Sequence, residues 1–192
     1  MKRVLLIIGI SLNVLTGLFA QSDQDKAYSL GLEAIQLMDK GEIDESIKLL
    51  KKAQKLDPER SDYPYELALA YYMKADYKTA AKILEKIRTY NDISDRLFQL
   101  LGNSYDIMGE TDKAFDAYNA GLEIFPNSGC IYLEIGNVYW NRKEYGKALP
   151  YYEKGIEVQP EFPSNYYRAA RLYCSSTEEV WGMIYGEIFM NL

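Results

Sequence analysis

Small, apolar and polar positions return along this chain with a period of 34 residues. Registers beginning at Ala27, Ser61, Asp95 and Gly129 put the same residue types in the same columns. One column reads Ala34, Ala68, Gly102, Gly136, all small; three residues on it reads Leu37, Tyr71, Tyr105, Tyr139, all large. A third reads Ser46, Ala80, Ala114, Ala148, and a fourth Leu50, Leu84, Tyr118, Tyr152. A fifth, Pro58, Asp92, Pro126, Pro160, suits a change of chain direction. Within a unit, Leu101, Gly102 and Tyr105 share one helical face, and Ala114, Tyr118 and Gly121 share another. The pattern therefore predicts two helices per unit. Gly102 and Ala114 let the backbones approach, and Tyr105 and Tyr118 fill the volume beside them. A unit this small cannot bury its own apolar face, so the next unit covers the remainder.

Local signals agree with that reading. Strong helix formers dominate 78–88 and 147–158. Pro126 and Pro160 fall just past predicted helices, where a missing N–H and a fixed φ help to end them. Pro64 falls in a first helical turn, where a lost N–H costs little. Pro150 lies inside a predicted helix and should bend it, with Gly146 one turn back.

The arrangement resembles the tetratricopeptide repeat (TPR) family. The residues that carry the resemblance are Phe98, Leu101, Gly102, Tyr105, Ala114, Tyr118 and Pro126, then Tyr132, Ile135, Gly136, Tyr139, Ala148, Tyr152 and Pro160. It implies an all-α fold, a right-handed superhelical solenoid of stacked antiparallel helix pairs. Repeats are expected near 27–60, 61–94, 95–128 and 129–162. A partial or divergent unit follows over 163–192, with Gly182, Gly186 and Phe189 in the small, aromatic and small columns of its second helix. The first unit carries Glu33, Leu37 and Ser46 where Leu, Tyr and Ala are usual, which fits a more polar terminal repeat.

The first residues have a different pattern. Lys2 and Arg3 precede a mostly apolar run from Val4 to Ala20, and a polar stretch follows. That order reads as a signal peptide over 1–20 and a polar linker over 21–26, so the mature chain is expected to be exported. Retention of the run as an anchor is the alternative; after cleavage no stable membrane insertion is expected.

Composition narrows the function. Acids outnumber bases 28 to 22, and no cluster of Lys and Arg suits a nucleic-acid backbone. There is no histidine, which removes the commonest general base and metal ligand. Cys130 and Cys174 cannot by themselves close a zinc site, and their offset along neighbouring helices argues against a bridge between them. No catalytic constellation, cofactor site or metal site is expected, and the chain reads as a non-enzyme.

What remains is surface. The first helix of each unit lines the concave side in repeat stacks of this kind. Residues there that lie off the packing columns are Tyr65 and Tyr72 in the second unit. The third supplies Gln99, Leu100, Asn103 and Asp106, the fourth Glu134, Asn137 and Trp140, and the fifth Tyr167, Arg168 and Arg171. Amides can satisfy the backbone of an extended peptide, and aromatics give rigid apolar contact. Trp140 could equally complete the packing within its repeat. Asn103, Asn137 and Arg168 are expected to matter for binding but not for stability. Some TPR domains grip a C-terminal carboxylate with Lys, Asn and Arg; here Asn103 and Arg168 match, while Gln99, Glu134 and Ser164 depart. Together with the signal peptide, the resemblance implies an exported scaffold, periplasmic or secreted, that binds a protein or peptide through its concave face by another mode. The rival reading is an N-terminal module of a longer envelope sensor or enzyme. Residues 180–192 are apolar on all sides and carry one charge. They should be covered by further polypeptide or by self-association.

Overall fold

Each period folds as two helices, and a recurring turn joins them. The computed structural model describes residues 22–174 and 179–192. Helix α1 covers 22–39. It is followed by α2 (Ile43–Leu56), α3 (Asp62–Met73), α4 (Tyr77–Ile87), α5 (Asp95–Ile107) and α6 (Thr111–Ile124). Then come α7 (Gly129–Asn141), α8 (Tyr145–Val158), α9 (Pro163–Cys174) and α10 (Glu179–Asn191). Among the described residues the structure is all-α, the class expected from the period. The expected signal peptide lies outside them. Residues 22–26, expected as a linker, are instead the first turns of α1, where Asp23 and Asp25 suit the positive end of the helix.

The turn inside each repeat was not foreseen. Gly41, Ala75, Gly109 and Lys143 stand 34 residues apart, and all have positive φ, at 80°, 63°, 77° and 62°. At each, the residue's own N–H bonds three residues back, and the next N–H reaches five back, as in Gly109 to Asp106 and Glu110 to Tyr105, both at 2.9 Å. This is a left-handed helix stop that satisfies orphan carbonyls. Ala75 and Lys143 occupy a backbone region that suits glycine.

The chain forms two compact units, divided within α4 after Ile83. In the first, Ala34, Met38, Ile47, Leu50, Leu67 and Ala70 make one buried cluster. Ala27, Ala53 and Tyr63 make another. Ser46, in a small column, is fully buried with its hydroxyl unpartnered.

In the second unit α5 pairs with α6, α7 with α8, and α9 with α10. Helix α7 lies against both α5 and α9, so the three first helices are neighbours. Tyr118 and Tyr152 are essentially fully buried, and each ring lies on a glycine of the facing helix. A Cβ at Gly102 would come within 2.6 Å of Tyr118 Cδ1, and one at Gly136 within 2.7 Å of Tyr152 Cδ1. Tyr105, expected beside Gly102, also reaches out of its own repeat. Its hydroxyl donates to Glu85 Oε1 at 3.2 Å, and Lys113 Nζ lies 5.4 Å from its ring centroid. Tyr173 makes the same bond to Glu153, again 20 residues back. These tyrosines tie one repeat to the preceding one. Helix α8 continues through Pro150. In the last pair, Gly182, in a small column, packs on Cys174, whereas Gly186 has no neighbour within 4 Å of where a Cβ would stand.

Candidate functional site

Adjacent first helices bring most of the predicted residues onto one face of the second unit. From α5 come Gln99, Asn103 and Asp106; from α7 Glu134, Asn137 and Trp140; from α9 Tyr167, Arg168 and Arg171. Leu100, read as a groove residue, is only 7% exposed and belongs to the core, because it shares the inward face with Leu97 and Leu101. Tyr65 and Tyr72 lie on α3 in the first unit, half-buried, with Tyr72 edge-on to Tyr77 at 5.1 Å.

The centre of the face is a hydrogen-bonded relay. Gln99 Nε2 donates to Glu134 Oε1 at 2.8 Å, and Asn137 Nδ2 donates to Glu134 Oε2 at 3.0 Å. Both carboxylate oxygens are thereby engaged within the protein. Tyr152 Oη donates to Asn137 Oδ1 at 3.2 Å, and Tyr118 Oη to Asn103 Oδ1 at 2.5 Å. Burial pushes the Tyr152 phenol up to about 12, with Arg168 opposing the rise, so it remains a donor at any physiological pH. The two asparagines therefore satisfy hydroxyls of fully buried rings. Replacing them should cost stability, contrary to the expectation from sequence. Asp106, half-buried and near Glu134, is held above the ordinary carboxylate range by burial first and by that neighbour second, with Arg142 opposing.

Towards α9 the face changes character. Trp140 packs into the cluster of Ala148, Tyr152, Ala169 and Leu172 and meets Tyr145 edge-on at 5.2 Å. Its ring also lies under two guanidinium groups. Arg171 Cζ is 4.9 Å and Arg168 Cζ 5.7 Å from its centroid. Arg171 also sits 5.6 Å from the Tyr167 ring, which is propped by Phe189 at 5.4 Å. Trp140 thus serves packing and surface together.

Two further features escaped sequence reading. In the first unit, a cavity of about 140 Å³ lies between α1 and α3, lined by Tyr28, Leu32, Ile35, Arg60, Tyr63 and Glu66. Tyr28, Leu32 and Ile35 stand at helical spacing on the exposed side of α1, a stripe that could have been counted. Near the start of α7, Ser128 donates to Asp95 at 2.7 Å, and Cys130 Sγ lies 3.4 Å from the same oxygen. Burial pushes the Cys130 thiol up to about 11, which makes it a packed group rather than a nucleophile. Both cysteines are free. Among the described residues no acidic or sulfur cluster could hold a metal ion, and no helix is long and apolar enough to cross a membrane.

Family models described as tetratricopeptide repeat match residues 37–102, 95–128 and 130–162. No curated protein matches the sequence. Among solved structures, the crystal structure of MamA is similar at 23% identity and a TM-score of 0.63, over 82% of this chain and 92% of that one. Pseudomonas aeruginosa pilF is similar at 18% identity and a TM-score of 0.73, over 88% and 78%. TTC0263, a thermophilic TPR protein of Thermus thermophilus, is similar at 16% identity and a TM-score of 0.69, over 86% and 90%. At these identities the likeness speaks to fold.

Proposed function

Because this chain is a tetratricopeptide repeat protein, we propose that it is a non-enzymatic scaffold, exported to the periplasm or beyond, that binds a protein or peptide through the face of its first helices. The observation that carries the reading is the composition of that face. Gln99, Glu134 and Asn137 form a fixed row of amide and carboxylate groups across α5 and α7, and the half-buried Trp140 on α7 and exposed Tyr167 on α9 continue it. Fixed polar groups beside rigid aromatics suit recognition of an extended backbone. Export rests on the order of a basic start, an apolar run and a polar stretch at the head of the chain.

The test is capture from envelope extract with tagged wild-type protein and with a Gln99→Ala/Tyr167→Ala variant. Neither residue is deeply buried, so the variant should fold as the wild type does. A partner retained by wild type and lost by the variant is expected. Equal retention by both would move the binding surface elsewhere. N-terminal sequencing of the mature protein tests export; a start near Gln21 is expected, and an intact Met1 would contradict it.

A further inference from the structure

Arg168 and Arg171 are placed unlike the other bases of the second unit, because both lie over one aromatic ring. Arg142, Lys147, Lys113, Lys154 and Arg88 each have a carboxylate within 3.1 Å. Among the described residues, Arg168 and Arg171 have none, and neither do Lys86, Arg96 and Lys143, although the chain carries 28 acids to 22 bases. Glu134, an acid of the same face, has both oxygens taken by Gln99 and Asn137. The two guanidinium groups are instead gathered over one indole, at 4.9 and 5.7 Å, with Tyr167 flanking Arg171.

This arrangement has a cost and a use. Two like charges over one ring repel each other, and the ring quadrupole offsets that only in part. An anion set between them would relieve the repulsion. A guanidinium held against an aromatic face still presents N–H groups in a planar fork, which matches a carboxylate. Tyr167 is 43% exposed and Trp140 half-buried, so the charged groups sit beside apolar surface open to a side chain. From this we propose that Trp140, Tyr167, Arg168 and Arg171 form a cradle for an Asp or Glu side chain of the partner, so that the ligand is an acidic segment with apolar residues beside the acid. The proposal rests on the binding-face reading above and narrows it. The ligand enters by a side-chain carboxylate, and Gln99 and Glu134 at the α5 end favour neutral or donating groups of the same segment.

The probe is a short peptide with two adjacent glutamates between leucines, acetylated and amidated so that it has no terminal carboxylate. Its glutamine and phosphoserine twins are the comparisons. The protein carries Trp181→Phe, which leaves Trp140 as the only tryptophan, and binding is followed by Trp140 emission and by the Arg Nε–H resonances. The glutamate peptide is expected to shift both signals and to bind at least about tenfold tighter than the glutamine twin at low salt. Raising the salt should shrink the difference. Arg168→Gln/Arg171→Gln should abolish the preference while the far-ultraviolet circular dichroism stays unchanged. Equal binding of the glutamate and glutamine peptides at Trp140 would overturn the acidic cradle and leave the binding face standing. Binding of the phosphoserine twin alone would overturn the carboxylate in favour of a phosphorylated partner. A glutamate peptide that perturbs neither Trp140 nor the arginines would overturn the cradle, and with resonances of α5 and α7 also unmoved it would count against the face as well.

Discussion

Replacing Gly136 with alanine sets two physical effects against each other. Gly136 lies mid-helix in α7, where alanine should be favoured by about 1 kcal/mol on helix propensity. The new Cβ, however, would stand 2.7 Å from Tyr152 Cδ1 and 2.9 Å from Cζ, far inside ordinary contact. The Tyr152 ring is 0% exposed, and its hydroxyl is tied to Asn137, so it cannot swing aside cheaply. Overpacking of this kind costs about 1–3 kcal/mol, and a trapped ring belongs in the upper half of that range. The net expectation is a loss of about 1–2 kcal/mol, read as a lower urea midpoint or a Tm lower by about 3–6 °C. Gly186→Ala in α10 is the control, since a Cβ there meets nothing within 4 Å; it should gain about 0.5–1 kcal/mol. The same chemical change then has opposite signs at two sites. The first repeat already shows another solution, in which Ala34 and Leu50 occupy these columns within one buried cluster. Gly136→Ala/Tyr152→Leu should therefore recover stability relative to the sum of its single changes, by about 1 kcal/mol of favourable coupling. A Gly136→Ala protein as stable as wild type, or strict additivity in the double variant, would refute the ring-on-glycine account.

Three other expectations follow from local geometry. Lys143→Gly should stabilise by about 0.5–1 kcal/mol, because φ is 62° there and Gly41 and Gly109 fill the matching positions; urea unfolding checks it. Asp106 binds its proton more tightly when folded, so its protonation favours the fold at low pH and that contribution is lost as pH rises through its raised pKa. Asp106→Asn should thus raise stability at neutral pH by up to about 0.5 kcal/mol and leave it unchanged in acid, as unfolding curves across that range would reveal. A disulfide reagent at neutral pH should label the exposed Cys174 well before the half-buried Cys130, whose thiol is pushed up to about 11; peptide mass mapping separates the two.

The buried columns were legible because burial selects residue size directly. Ser46, Ala80, Ala114 and Ala148, and Leu50, Leu84, Tyr118 and Tyr152, are all 0–1% exposed. Hydroxyl partners were harder to foresee. Nothing in the period says that Tyr118 reaches Asn103 on its own repeat while Tyr105 reaches Glu85 in the preceding one. That choice depends on side-chain direction, which spacing alone does not give. It is why Asn103 and Asn137 read as free surface and turned out to hold the core. The turn column Gly41, Ala75, Gly109, Lys143 was hidden for a different reason: its shared property is a backbone angle, and the residue types differ. Asn165 hides similarly. It is 0% exposed, its Nδ2 donates to the Gly129 carbonyl at 3.0 Å, and it stands in the column of Leu97 and Ile131. On the candidate face, the residue types were readable, but the gathering of Arg168 and Arg171 over Trp140 required α7 and α9 to be placed side by side. The apolar character of the last segment was visible in the sequence, and α10 leaves Trp181, Met183 and Met190 at 50–79% exposure.

The most direct test of the central claim is photo-crosslinking in living cells. A photoreactive residue is placed at Gln99 on α5 and Tyr167 on α9, and in parallel at Lys113 on α6 and Lys154 on α8, which are exposed on second helices. The account predicts that the first-helix positions give a discrete adduct with a partner protein and that the second-helix positions do not. Adducts from Lys113 and Lys154 alone would contradict it.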